Sequence, residues 1–110
     1  MKDDKIYLRH ILDAIERVES YLEGVEKDEF LSELGLVQDG VVRQLEIIGE
    51  AARALSEEFK KSHPEVPWKE IVGMRNKIIH EYFSVDWLEV WNTSQRDLPS
   101  LKEKVQRLLK

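Results

Sequence analysis

The sequence predicts an all-α fold, an antiparallel four-helix bundle, and three observations predict it. Apolar residues recur at three- and four-residue spacing through most of the chain. No stretch shows the strict alternation of a half-buried strand, and there is no internal repeat or low-complexity tract. Glycine, proline and turn residues fall between the apolar stripes and divide them into four, which an antiparallel bundle accommodates, with room for short additional helical turns.

The first stripe is Leu8, Ile11, Leu12, Ile15, Val18 and Leu22, one face of an amphipathic helix. Asp3 or Asp4 fits its N-cap and Gly24 its stop. Residues 25–36 read as a charged connector pinned to the core by Phe30 and Leu31. The second helix is predicted from near Gln38 to about Ser62, on the stripe Val41, Leu45, Ile48, Ala52, Leu55 and Phe59. Gly49, Ala51 and Ala52 beside that stripe permit a close helix crossing, offsetting the roughly 1 kcal/mol propensity cost of a helical glycine. His63-Pro64 and Val66-Pro67 end it, because a residue before proline is biased away from helix. Trp68 starts a third helix that carries MRNKIIHEYF, residues 74–83. After a turn near Ser84, the fourth places Trp87, Trp91, Ser94, Leu98, Leu101, Val105 and Leu108 on one stripe, with Pro99 expected to kink or break it.

One domain spanning residues 1–110 fits this length. Absence of cysteine excludes disulfides and thiolate chemistry. No apolar run approaches the roughly 18 residues of a membrane span, and MKDDKIYLRH is too charged for a signal peptide, so a cytoplasmic protein with no membrane partner is expected. A net charge of −5 counts against a dedicated nucleic-acid-binding module. It leaves open an enzyme that visits RNA at one local basic site.

On a helical wheel the third helix sets Met74, Ile78 and Ile79 toward the core, with Asn76 and His80 one turn apart on an adjoining face. Arg75 falls about 40° from Ile71, within the apolar arc. Desolvating a guanidinium costs several kcal/mol unless it is paired, so two explanations stand. Arg75 either snorkels or pairs with a carboxylate such as Glu46 or Glu50, or it faces an anion at a cleft or subunit interface. Histidine, arginine and an amide suit RNA cleavage without a metal or other cofactor. An imidazole takes the 2′-hydroxyl proton, and a guanidinium holds the phosphate as its charge grows. Asn76 orients the imidazole or binds a phosphate oxygen. The leaving oxygen needs an acid; His10 and His63 read as surface residues, so a second His80 across a symmetric dimer would have to supply it.

RNKIIHEY resembles the arginine–polar–three residues–histidine signature of HEPN domains, and the tyrosine two positions after the histidine resembles the HepT-like branch. The likeness continues through YLRHILDAIERVESYLEG, VQDGVVRQLEIIGEAARALSEEF, HPEVPWKEIVGMRNKIIHEYFSVD and DLPSLKEKV. Val37 and Gly40 depart from the threonine and alanine expected early in the second helix. The resemblance implies a homodimer with paired motifs at a shared cleft, acting as the toxin beside a minimal nucleotidyltransferase antitoxin, with RNA as a transient substrate. It implies Arg75, His80 and Asn76 as catalytic residues, no metal, and Tyr82 as a tyrosine to which the partner transfers AMP. On pattern alone Tyr82 reads as a core aromatic with its hydroxyl at the rim. The alternative function is a non-catalytic binding or regulatory subunit that serves as the transferase's modification substrate. The three tryptophans read as packing rather than as a base-stacking platform.

Overall fold

Asp3 caps the first helix by accepting a hydrogen bond from the Lys5 backbone N–H, and the chain then winds as α1 from Asp4 to Leu22. Gly24, at φ +75°, ends it in the left-handed conformation that glycine adopts without steric cost. The computed structural model describes residues 3–33, 35–81 and 84–110. The connector contains a short helix, α2 (Lys27–Glu33). From it Phe30 is fully buried, with its ring 5.4 Å from that of Trp91 and 6.2 Å from that of Trp87.

The second stripe forms α3 (Gly35–Ala54), starting before the predicted Gln38. Val37 and Gly40 therefore lie within the helix, not at its cap. A Cβ on Gly40 would stand 3.1 Å from Cε2 of Tyr21, so the glycine lets that ring close over α3. The predicted run to Ser62 breaks at Leu55–Ser56, and α4 (Glu57–Ser62) begins anew. Ser56 caps α4 through its hydroxyl to Phe59 N–H. Its own N–H and hydroxyl donate to the Asp4 carboxylate at 2.8 and 2.9 Å. Asp4 thus ties the start of α1 to the end of α3, while Tyr21 meets Gly40 at the other end, so the two helices run antiparallel.

Two short helices follow, α5 (Trp68–Val72) and α6 (Met74–Ile78), joined through Gly73. They cross α3 where Gly49 lies. A Cβ there would sit 3.3 Å from the Ile71 carbonyl oxygen, the close approach that the small residues predicted. The third helix does not continue to residue 83 as expected. It ends at Ile78, and the chain extends into β1 (Ile79–Glu81), paired antiparallel with β2 (Ser84–Val85). A backbone bond from Asp86 N–H to Ile78 O at 2.8 Å closes the open end of this hairpin.

The fourth stripe becomes α7 (Trp87–Asn92), a π-helical turn (Thr93–Asp97) and α8 (Leu98–Leu109). Pro99 has no N–H for the Gln95 carbonyl, and its ring would crowd that carbonyl in a regular helix. The chain widens just before the proline instead, with Leu98 N–H reaching back five residues to Thr93 O. The Thr93 hydroxyl, buried in that turn, has no hydrogen-bond partner among the described residues. The core between α1, α3 and α8 holds Leu8, Ile11, Ile15, Leu45, Ile48 and Val105, all fully buried. Each contributes about 1.5–3 kcal/mol by burial. Among the described residues no helix is long and apolar enough to cross a membrane.

Candidate active site

The site is built where α6 lies against α3. Gly49 allows the close crossing, and the helix that follows presents Arg75 and Asn76 outward, both exposed. Met74 and Ile78 face the core and hold α6 in place. Arg75, Asn76 and Val72 form one wall of a groove of about 320 Å³; Glu46, Gly49, Glu50 and Arg53 of α3 form the other.

Arg75 Nε donates to Glu46 Oε2 at 2.8 Å. The arginine side chain is 54% exposed and the glutamate 24%, so this is a pair at the rim of the core rather than a buried one. Of the two carboxylates that the sequence offered, Glu46 is the partner; Glu50 lies 3.8 Å from Arg43 instead. The contact runs through Nε, and the two terminal amino groups, whose outer edge can grip a phosphate bidentately, have no other partner among the described residues. The pairing explanation and the anion-facing explanation are therefore compatible in one side chain.

His80 is placed by its backbone at the middle of β1. There Ile79 pairs with Val85 and Glu81 with Ser84, so β1 carries one residue more than β2 and His80 is the bulged one. Wheel angles beyond Ile78 accordingly do not apply. The one-turn stacking of His80 on Asn76 expected from helical geometry is replaced by a helix-to-strand switch after Ile78. Tyr82, the expected modification site, lies outside the described residues. Of the other histidines, His10 is exposed with its ring edge-on to Tyr7. His63 lies at the surface with its side chain 32% exposed, its ring against Phe59 and Nδ1 3.5 Å from Glu65. Among the described residues no cluster of three or more histidine, aspartate or glutamate side chains is arranged to hold a metal ion.

Sequence reasoning missed the hairpin and a contact that braces it. Lys77 Nζ lies 3.1 Å from Glu89 of α7, linking α6 to the element after the hairpin. A signal for the hairpin was present in IIHEYFSV, a run rich in β-branched and aromatic residues. Spacing that also suits a helix masked it.

Comparison with known proteins extends the picture. A family model described as ribonuclease HepT-like matches residues 11–108. A protein of Thermococcus cleftensis named "probable ribonuclease HepT" is 43% identical over 99% of this chain and 98% of its own length. A "putative RNase" of Caldanaerobacter subterraneus is 42% identical over 99% of this chain and 96% of its own. A Methanocaldococcus jannaschii protein named "gamma-glutamylcyclotransferase and putative RNase" is 43% identical over 98% of this chain. The chain spans about half of that longer protein, 48%. No solved structure matches the chain. With the match running from α1 through α8, the chain belongs to the ribonuclease HepT-like family.

Proposed function

We propose that the protein is an RNA endonuclease whose active site combines Arg75, Asn76 and His80 of two chains. Membership of a ribonuclease family supports the reaction class. The observation that carries the residue assignment is the placement of Arg75: exposed on a groove wall beside Asn76 and oriented through Nε by Glu46, rather than buried as a packing anchor. In the reaction, His80 takes the proton of a ribose 2′-hydroxyl. The 2′-oxygen forms its bond to phosphorus while the bond to the 5′-oxygen breaks, leaving a 2′,3′-cyclic phosphate. The departing 5′-oxygen takes a proton from His80 of the partner subunit, which is why a homodimer completes the site. Arg75 neutralises the non-bridging oxygens as charge accumulates on them, and Asn76 donates a hydrogen bond to one of them. The reaction so written needs no metal.

In this reading the protein is the toxin of a two-gene pair in the cytoplasm, and a minimal nucleotidyltransferase is its antitoxin. Transfer of AMP to the Tyr82 hydroxyl adds a phosphate and a nucleoside to the toxin and silences it. A second reading, a non-catalytic subunit serving as the transferase's substrate, draws on one specific observation: Glu46 already occupies Arg75, and the groove is acidic as well as basic. Expression of wild type, Arg75→Ala and His80→Ala chains separates the two. The nuclease reading expects growth arrest and RNA breakdown from wild type alone. Equal effects from all three chains, or from none, favour the second.

A further inference from the structure

The acidic balance of the chain is unevenly distributed. Two more grooves flank α5. The larger, about 660 Å³, runs between α5–α6 and the π turn and α8, with a floor of Ile71, Met74, Leu98 and Leu101. Its cations are Lys77, Arg96 and Lys104. The smaller, about 570 Å³, lies between α4 and α5 and holds Lys60, Lys61 and Lys69. The two grooves share Pro67 and Glu70, and the smaller shares Val72 with the groove of Arg75 and Asn76. The three therefore adjoin in series around α5 and end at the candidate site. Among the described residues the two flanking grooves together carry six cations and three carboxylates (Glu57, Glu70 and Asp97), a net +3. Since the whole chain carries −5, the remainder carries −8.

We infer that these two grooves form a track for single-stranded RNA leading to the scissile phosphate. The inference rests on RNA being the substrate proposed above. A chain of −5 repels a polyanion except where cations are gathered, and α4, α5, α6, the π turn and α8 gather them in the two grooves that adjoin the one holding Arg75 and Asn76. Lys61 and Lys69 are exposed, and their ammonium groups have no ion-pair or hydrogen-bond partner among the described residues. Arg96 is exposed and, among the described residues, paired only with its neighbour Asp97. All three are available to phosphates. The apolar floor of the larger groove accepts the face of an unpaired base, whereas a duplex would keep its bases stacked inside.

Binding of a non-cleavable 2′-O-methyl RNA of about 12 nucleotides, end-labelled and followed by anisotropy from about 50 to 200 mM salt, tests this. The triple variant Lys61→Gln/Lys69→Gln/Arg96→Gln should lower the slope of log affinity against log salt by about 2, at roughly 0.7 per lost phosphate contact. At about 0.15 M salt its affinity should fall about 50-fold. A control triple on α1 and α2, Lys5→Gln/Arg17→Gln/Lys27→Gln, should bind like wild type, and both triples should keep the wild-type circular dichroism spectrum. Equal loss in the control, no loss in the groove triple, or no binding by wild type each overturns the track. Loss of self-association in the groove triple with RNA binding intact also overturns it, and makes this face a contact between copies. The endonuclease reading fails separately. Groove-dependent binding without cleavage leaves the track standing, and cleavage equally fast in the groove triple removes the track while leaving the nuclease.

Discussion

Replacing Arg75 with alanine separates a catalytic cation from a structural one by the size of the stability change. In the structure the guanidinium meets Glu46 at 2.8 Å, with 54% of the arginine side chain exposed. Exposed pairs of this kind contribute about 0.2–1 kcal/mol, whereas breaking a buried pair costs about 3–5 kcal/mol because an uncompensated charge stays inside. Glu46, at 24% exposure, retains contact with water when its partner is removed. Arg75→Ala should therefore lose at most about 1 kcal/mol. For a domain of this size that lowers Tm by up to about 6 °C. Chemical denaturation read by tryptophan fluorescence measures the change, since Trp68, Trp87 and Trp91 all lie in or against the core. A loss of 3 kcal/mol or more, or an unfolded chain, would refute the argument from exposure and make Arg75 an anchor.

Phe30→Ala should cost about 3–5 kcal/mol by urea titration, because the ring is fully buried against Trp87 and Trp91 and its truncation leaves a cavity there. Ser56→Ala removes the cap of α4 and one bond to Asp4, and should cost about 1–2 kcal/mol in the same assay while leaving RNA binding unchanged. Gly49→Val forces side-chain atoms into the Ile71 carbonyl, 3.3 Å from even a Cβ, and should lower stability by about 1–3 kcal/mol. It should also reduce cleavage, because α5 and α6 must move away from α3. Lys102 titrates above its usual 10.5, chiefly through its hydrogen bond to Glu19 and with help from the charges of Glu19 and Glu16, against a lesser desolvation effect. A raised lysine stabilises the fold fully below the unfolded value and loses that contribution as pH rises through the folded one. Wild type minus Lys102→Gln stability should thus be constant from neutral pH to about 10 and shrink above it, measured by denaturation across that range.

Four helical segments and most of the core were legible because amphipathic spacing repeats over many turns in each. Leu8 to Leu22 and Val41 to Leu55 illustrate this. Phe30 could be placed because it is an aromatic side chain in an otherwise charged connector. The breaks were harder to read. Ser56, followed by two glutamates, has the form of an N-cap, yet the stripe continues through Leu55 and Phe59 and conceals it. Pro99 announced a distortion but not its kind, since a π turn and a kink both relieve the missing N–H. At the candidate site Arg75 and Asn76 followed from the motif, and the Glu46 pairing was among the possibilities that the wheel left open. The position of His80 was not legible. Ile78 satisfies helical spacing and strand propensity equally, and the switch into β1 is settled by hairpin pairing of Ile79 with Val85, whose local signal in IIHEYFSV the helical spacing masked.

Cleavage of a defined RNA by the purified chain, with the end groups of the products identified, tests the central claim most directly. Wild type should cut in the presence of a chelator and leave a 2′,3′-cyclic phosphate. Under the same conditions folded His80→Ala and Arg75→Ala chains should each leave the RNA intact. Cleavage by both variants at the wild-type rate would place the chemistry elsewhere and contradict the account.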